Sequence, residues 1–301
     1  MSVWRSDNIR AAGAMTLASA VFVFNDAAMK HVAESVPMMQ AMAVRGVAVS
    51  FTLAVLAYAT GAFKRVGMLA SPLVWARATS ETIGSLGFMS ALPHVPLAIA
   101  TALGMATPLL LLPLAWIFLG QKIGIRRIGA IVAGFAGVLL IVRPTADGVD
   151  WWLLLAAGSV LFFALRDVAT RRLPPDLPTL LIALVMSLAV TTATSVLAFS
   201  AGWQPMGPGE WIGVSAAALL VGTGYLLMVQ AMRIGDIAMT GSFRYTAMVF
   251  AVALGWWIWG ELPDLAAWCG IALILASGLY ALHRERVRAL NARARAPQAS
   301  D

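Results

Sequence analysis

The chain has little of what a soluble or metal-dependent protein needs. Its 301 residues include one cysteine, Cys269, and three widely separated histidines, His31, His94 and His283. One thiol excludes an intrachain disulfide and a cysteine metal cluster, and the scattered histidines support neither zinc nor haem, so no metal and no cofactor are expected. Charge is also scarce: Asp, Glu, Lys and Arg make up 12% of the chain, against 60% hydrophobic residues. So few charges cannot cover a water-facing surface. No G-x-x-x-x-G-K-[ST] loop is present to bind a nucleotide, and neither an H-E-x-x-H pair nor a nucleophile elbow supplies the chemistry of an intramembrane enzyme. The net charge of +7 comes from basic residues dispersed between apolar runs and in a short C-terminal stretch, which argues against a nucleic-acid partner.

What the chain does have is apolar runs of membrane-crossing length. At about 20 residues per crossing they number ten. Bounded by charges, Pro and Gly, they fall near 10–31, 37–60, 71–92, 96–119 and 124–142, then 151–170, 177–200, 211–232, 237–259 and 264–283. The expected fold is an all-α polytopic membrane protein. With the N-terminus in the cytoplasm, fifteen Lys and Arg side chains lie on the cytoplasmic side, among them Arg10, Lys64, Arg65, Arg126, Arg171 and Arg284, against Lys30 and Arg143 outside. The positive-inside bias therefore places both termini in the cytoplasm. Trp151, Trp152, Trp203, Trp211 and Trp259 fall at outer helix ends, where indole rings favour the headgroup layer.

The chain also repeats itself at an offset of 140 to 141 residues. Trp116-Ile117-Phe118-Leu119-Gly120 recurs as Trp256-Trp257-Ile258-Trp259-Gly260, Leu97-Ala98 as Ile237-Ala238, and Asp26 with Lys30 as Asp167 with Arg171. Five helices per copy is an odd number, so the second copy must enter the membrane from the opposite side. The expected organisation is two inverted five-helix repeats, 1–143 and 144–284, followed by a basic cytoplasmic tail, 285–301. Such repeats are the architecture by which secondary transporters expose a midplane site alternately to each side. An enzyme, receptor or structural assembly does not account for the duplication.

Ala106-Thr107-Pro108-Leu109-Leu110 to Gly120, Arg126-Arg127-Ile128-Gly129 to Arg143-Pro144, and Phe243-Arg244-Tyr245-Thr246 to Gly260-Glu261 resemble the EamA branch of the drug/metabolite transporter superfamily. The resemblance implies a ten-helix carrier. It implies export of amino acids or related metabolites, as by the family's aromatic amino-acid exporters, with uptake of a vitamin such as riboflavin as the alternative. Where the family often has Gly-Glu at the end of its fourth helix, this chain has Gly120-Gln121, while Gly260-Glu261 keeps the pattern.

Charges inside spans are costly at about 2.5 to 3.5 kcal/mol each, so those present must face protein or water. Helix rise puts Asp26 and Arg45 at similar depth, and likewise Glu81 and Arg244, with Arg77 one turn from Glu81 as a competing partner. These groups are candidate pathway or gate residues; ion pairs that only fix helix positions are the alternative. Asp167 beside Arg166 reads as interfacial. His94, between Pro93 and Pro96, reads as a solvated loop residue. Pro108 and Pro113 each remove a backbone donor from the fourth helix, marking a kink, and Gly222 and Gly224 leave room on the eighth. Trp75, Phe88, Met105, Phe243 and Tyr245 are candidates for lining an apolar substrate path, against the alternative that they are core or lipid-facing. Gly129, Ala133 and Gly137 on the fifth helix and Gly270, Ile274 and Gly278 on the tenth form stripes for close helix packing. The partners expected are a small-molecule substrate and the lipid bilayer; proton coupling and facilitated diffusion both fit, as do a monomer and a weak homodimer.

Overall fold

The computed structural model describes residues 2–120, 124–143, 150–174, 176–234 and 241–295, with backbone alone for 2–8, 127, 233, 285, 286 and 288–295. Gln121, Lys122, Ile237 and Ala238 lie outside the described residues. No strand occurs among those described. The helices are α1 (Ser2–Val32), α2 (Met38–Ala59), α3 (Pro72–Ala91), α4 (Leu97–Gly104), α5 (Thr107–Leu119), α6 (Ile125–Val142), α7 (Trp151–Arg171), α8 (Thr179–Ala201), α9 (Pro208–Ile234), α10 (Ala247–Trp259) and α11 (Leu265–Arg295). A 3₁₀ segment, Phe243–Thr246, leads into α10. Among the described residues, each expected span overlaps a helix or two consecutive helical segments. Seven stretches among the described residues are long and apolar enough to cross a membrane. Large side chains such as Phe51, Phe199, Trp257 and Leu265 are exposed. Water would reject that belt, whereas hydrocarbon accepts it, so the chain is a multi-pass membrane protein.

Local chemistry sets the helix ends. Pro37, Pro96 and Pro178 stand immediately before α2, α4 and α8, where a missing N–H costs nothing. Asp150 caps α7 by accepting from the Trp152 N–H at 2.8 Å. Gly120 and Gly260 end α5 and α10 in the left-handed region, at φ 64° and 67°. Both need glycine for the same reason, and they are the matched ends of the repeated Trp-to-Gly motif. The basic tail continues α11 as helix as far as Arg295.

The packing obeys the same exchange as the sequence. α1 packs on α9 and α3 on α7, while α2 packs on α8, α4 on α10 and α6 on α11. Exchanging the first five spans for the second five leaves this pattern unchanged. It holds residue by residue: Phe22 lies against Gly224, and Phe163 against Gly84. Ser50 bonds the Ser187 hydroxyl at 2.8 Å, and its counterpart Thr191 lies against Gly46. These pairs also give direction. Position rises along α2 as it falls along α8, so α2 lies antiparallel to its own repeat counterpart. The same is true of α6 and α11, where Gly137 meets Gly270 and Gly134 meets Ser277.

That last contact bears out close packing of the fifth and tenth spans, here within one chain. A Cβ on Gly137 would stand 2.7 Å from the Gly270 carbonyl, and one on Gly270 would stand 2.6 Å from that of Gly137. Gly129 instead faces open space, and Gly278 accommodates the Tyr245 side chain. The small-residue face that makes the contact is therefore Gly134–Gly137. The core fills the space where α1, α4, α7, α9, α10 and α11 converge, around Met29, Leu97, Leu103 and Ile274.

Candidate functional site

Charged side chains inside the bundle gather at three stations. At the first, on α1 and α2, Asn25 is 3% exposed. Arg45 Nη1 donates to Asn25 Oδ1 at 3.0 Å, and Asn25 Nδ2 donates to Asp26 Oδ1 at 2.9 Å. Asp26 and Arg45 are thus brought together as their depths predict, but through the amide rather than as a direct pair. The amide suits the position because it donates to the carboxylate and accepts from the guanidinium at once.

At the second station the pairing expected between Glu81 and Arg244 is not formed. Glu81 on α3 instead accepts from Arg166 Nη1 on α7 at 3.1 Å, and Arg166 Nε donates to Asp167 at 2.9 Å. The reason is angular: α3 packs on α7, and depth alone does not state which helices are neighbours. Arg166 also lies over the Phe163 ring at 5.1 Å. Arg77 donates from Nε to Thr170 Oγ1 at 2.7 Å, while its Nη1 is buried without a hydrogen-bond partner. Tyr225 on α9 stacks edge-on with Phe22 at 5.7 Å and lies within electrostatic reach of Glu81, Arg166, Arg77 and Asp167. Asp167 is therefore part of an ion-pair chain, with its side chain still 36% exposed. Arg244 is exposed and forms no ion pair among the described residues.

Sequence reasoning missed the third station. Lys30, read as an outer charge, is only 4% exposed. Its Nζ donates to Glu261 Oε1 at 2.7 Å, to Glu261 Oε2 at 2.9 Å and to the Val95 carbonyl at 2.9 Å. Those bonds use all three ammonium donors. Glu261 Oε2 also accepts from the Leu97 N–H at 3.2 Å, and the ammonium lies 4.9 Å from the Trp259 ring centroid. Trp259 Nε1 in turn donates to Glu34 at 2.5 Å. Trp259 is thus a member of this network as well as a helix-end tryptophan. The available signal was that Glu261 keeps a motif carboxylate while Lys30 lies one turn beyond Asp26. Beside it, His94 is exposed in the link between spans, as expected, and is stacked on Trp152 at 3.7 Å.

The apolar candidates separate. Phe88 is core, packed on Phe163 at 5.9 Å, and Trp75 is 56% exposed on α3. Phe243 and Tyr245 are half-buried in the 3₁₀ segment, and the Tyr245 hydroxyl is buried without a partner. Met105 stands at a break in the fourth span, between α4 and α5. Pro108 lies in the first turn of α5, directly after the break that follows α4, and Pro113 is inside α5. The carbonyl that Pro108 leaves without a helical donor is that of Gly104, and it accepts from Thr107 Oγ1 at 2.7 Å. The ninth span repeats the device: Thr246 Oγ1 donates to the Phe243 carbonyl at 2.6 Å. Gly222 faces open space, while Gly224 meets Phe22.

No group of His, Cys, Asp and Glu able to hold a metal occurs among the described residues. An apolar groove of about 600 Å³ opens between α2, α8 and α9, lined by Val47, Phe51, Phe199, Trp203 and Trp211. Outside the spans, Arg143 pairs with Asp264 and holds its carboxyl below the usual range, helped by the Ala267 N–H that Asp264 caps at the start of α11.

The family model described as EamA-like transporter family matches residues 10–143 and again 150–282. A riboflavin transporter of Rhizobium johnstonii is 28% identical over 230 residues, 75% of this chain and 76% of that one. An S-adenosylmethionine uptake transporter of Rickettsia bellii is 24% identical over 67% of this chain and 69% of its own. A pseudopaline exporter of Pseudomonas aeruginosa is 24% identical over 87% of this chain and 92% of its own. A crystal structure at 22% identity covers 92% of this chain and 98% of that chain with a TM-score of 0.59, a likeness of fold.

Proposed function

Because the chain belongs to the EamA-like transporter family and is a transporter rather than an enzyme, we propose that it is a secondary carrier of the cell inner membrane. In this reading it crosses the bilayer ten times as two inverted repeats, 1–143 and 144–284, with both termini and the tail 285–301 in the cytoplasm, and works by alternating access. The observation that carries this is the antiparallel packing of α2 on α8 and of α6 on α11, each helix against its own repeat counterpart. Two such bundles can rock about their shared contacts and exchange exposure to the two sides.

The substrate path runs past Asn25, Asp26, Arg45, Glu81 and Arg166, with Phe243, Arg244 and Tyr245 toward its cytoplasmic mouth and Met105 at the break of the fourth span. The first and second stations each hold charges of both signs, which complements a small zwitterion, and amino-acid export is the leading assignment. The exporter matched over 87% of this chain supports the direction. Uptake of a riboflavin-like vitamin is the second reading, favoured by the riboflavin transporter at 28% identity. The test is transport of a labelled amino-acid panel and of riboflavin by proteoliposomes, with and without a pH gradient. Saturable movement of an amino acid supports the first reading and of riboflavin alone the second. Chemical alteration of the solute, or no protein-dependent flux of any solute, overturns the carrier.

A further inference from the structure

Lys30 is the most enclosed charge described in the bundle, and it ties together three segments distant in sequence. Its ammonium joins the end of α1 to Glu261, just beyond α10, and to the Val95 carbonyl at the entry to α4, while Glu261 also holds the Leu97 N–H. A buried charge keeps its place only if its donors are satisfied, so removal of Glu261, itself 27% exposed, leaves the enclosed Lys30 ammonium without its carboxylate. The exposed rim beyond it is tied in through Trp259, which receives Lys30 over its ring and donates to Glu34, itself paired with His31 at 3.2 Å. In the sequence, the place matching Glu261 in the first half carries an amide, Gln121, so the carboxylate is not duplicated.

We infer that Lys30 and Glu261 form an ionic latch that closes the end of the bundle where α1, α4 and α10 meet. The bundle opens at that end only when the latch parts. The inference rests on the carrier reading for its role in transport, but the latch itself can be tested without any substrate. Ala27 is buried at 4%, about one turn from Lys30 toward the middle of α1. A cysteine there, in a Cys269→Ser background, reports opening beneath the latch. Ala57, buried in a separate cluster at the far end of α2, is the control position.

The experiment is labelling by a membrane-impermeant maleimide in lipid nanodiscs, where both faces are accessible, for the otherwise unmodified chain and for Lys30→Met and Glu261→Gln. Both variants are expected to raise the labelling rate at position 27, on the order of tenfold for loss of a buried pair member, while position 57 stays slow. Unchanged labelling at 27 in both variants overturns the latch. An equal rise at 27 and 57 signals loss of fold and equally overturns a local closure. Absence of transport by the parent protein would instead strike the functional reading and leave the labelling result standing.

Discussion

Asn25 bonds both charges of the first station. Replacing it with Leu keeps the volume roughly constant but leaves Asp26 and Arg45 without the amide that links them. Unsatisfied buried polar groups cost about 1–3 kcal/mol each. Asn25→Leu should lower the thermal unfolding midpoint and, under the proposed function, reduce flux, whereas Asn25→Asp should damage it less because it still accepts from Arg45. Asp264 offers a test by pH. Its folded-state carboxyl is depressed by Arg143, so the stabilisation it brings is present above the unfolded-state value and is lost as pH falls through the lowered folded-state value. The unfolding midpoint of Asp264→Asn should accordingly lie below that of the parent at neutral pH and converge with it in acid. A gap that persists unchanged in acid would deny the Arg143 pairing. Residue identity alone reached half of this network. Asp26 and Arg45 were legible from depth, because helix rise fixes one coordinate, but Glu81 found Arg166 and not Arg244 because depth says nothing of the angle around the bundle.

Among the helices, the contacts that hold the two halves together are made where glycine lets a side chain or backbone approach. A Cβ on Gly84 would stand 2.8 Å from the Phe163 ring, and one on Gly224 would stand 3.1 Å from Phe22. Overpacking of this kind costs about 1–3 kcal/mol. Gly84→Ala and Gly224→Ala should both destabilise the protein, and Gly270→Ala should do so more, since it meets a carbonyl that cannot move aside. Gly222→Ala, which faces open space, should leave the unfolding midpoint unchanged or slightly raised. Equal effects at 222 and 224 would show that α1 and α9 do not pack as described. The fourth and ninth spans are the elements best suited to bend, since each is interrupted at a place where a threonine hydroxyl answers a carbonyl. Pro108 announced the first break in the sequence. The second has no proline and was invisible, because Phe243-Arg244-Tyr245-Thr246 reads as an ordinary apolar-flanked turn of helix.

At the scale of the whole molecule, the sequence offset of 140 to 141 residues was the strongest predictor, since it anticipated which contacts would come in matched sets: Phe22 with Gly224 and Phe163 with Gly84. An offset recurs in space only if the two copies share one fold, and antiparallel packing of counterpart helices then gives them opposite directions. If both copies cross the bilayer, equivalent positions must emerge on opposite sides. His31 and Arg172 are such a pair, separated by 141 residues and both exposed at helix ends. In the topology proposed above, Arg172 faces the cytoplasm and His31 the outside. In a Cys269→Ser background, His31→Cys should react with an impermeant maleimide applied to intact cells, and Arg172→Cys only after the membrane is opened. Reaction of both positions from one side would mean that the copies run the same way through the bilayer. The exchange of exposure between two opposed bundles would then have no structural basis, however well their helices pack.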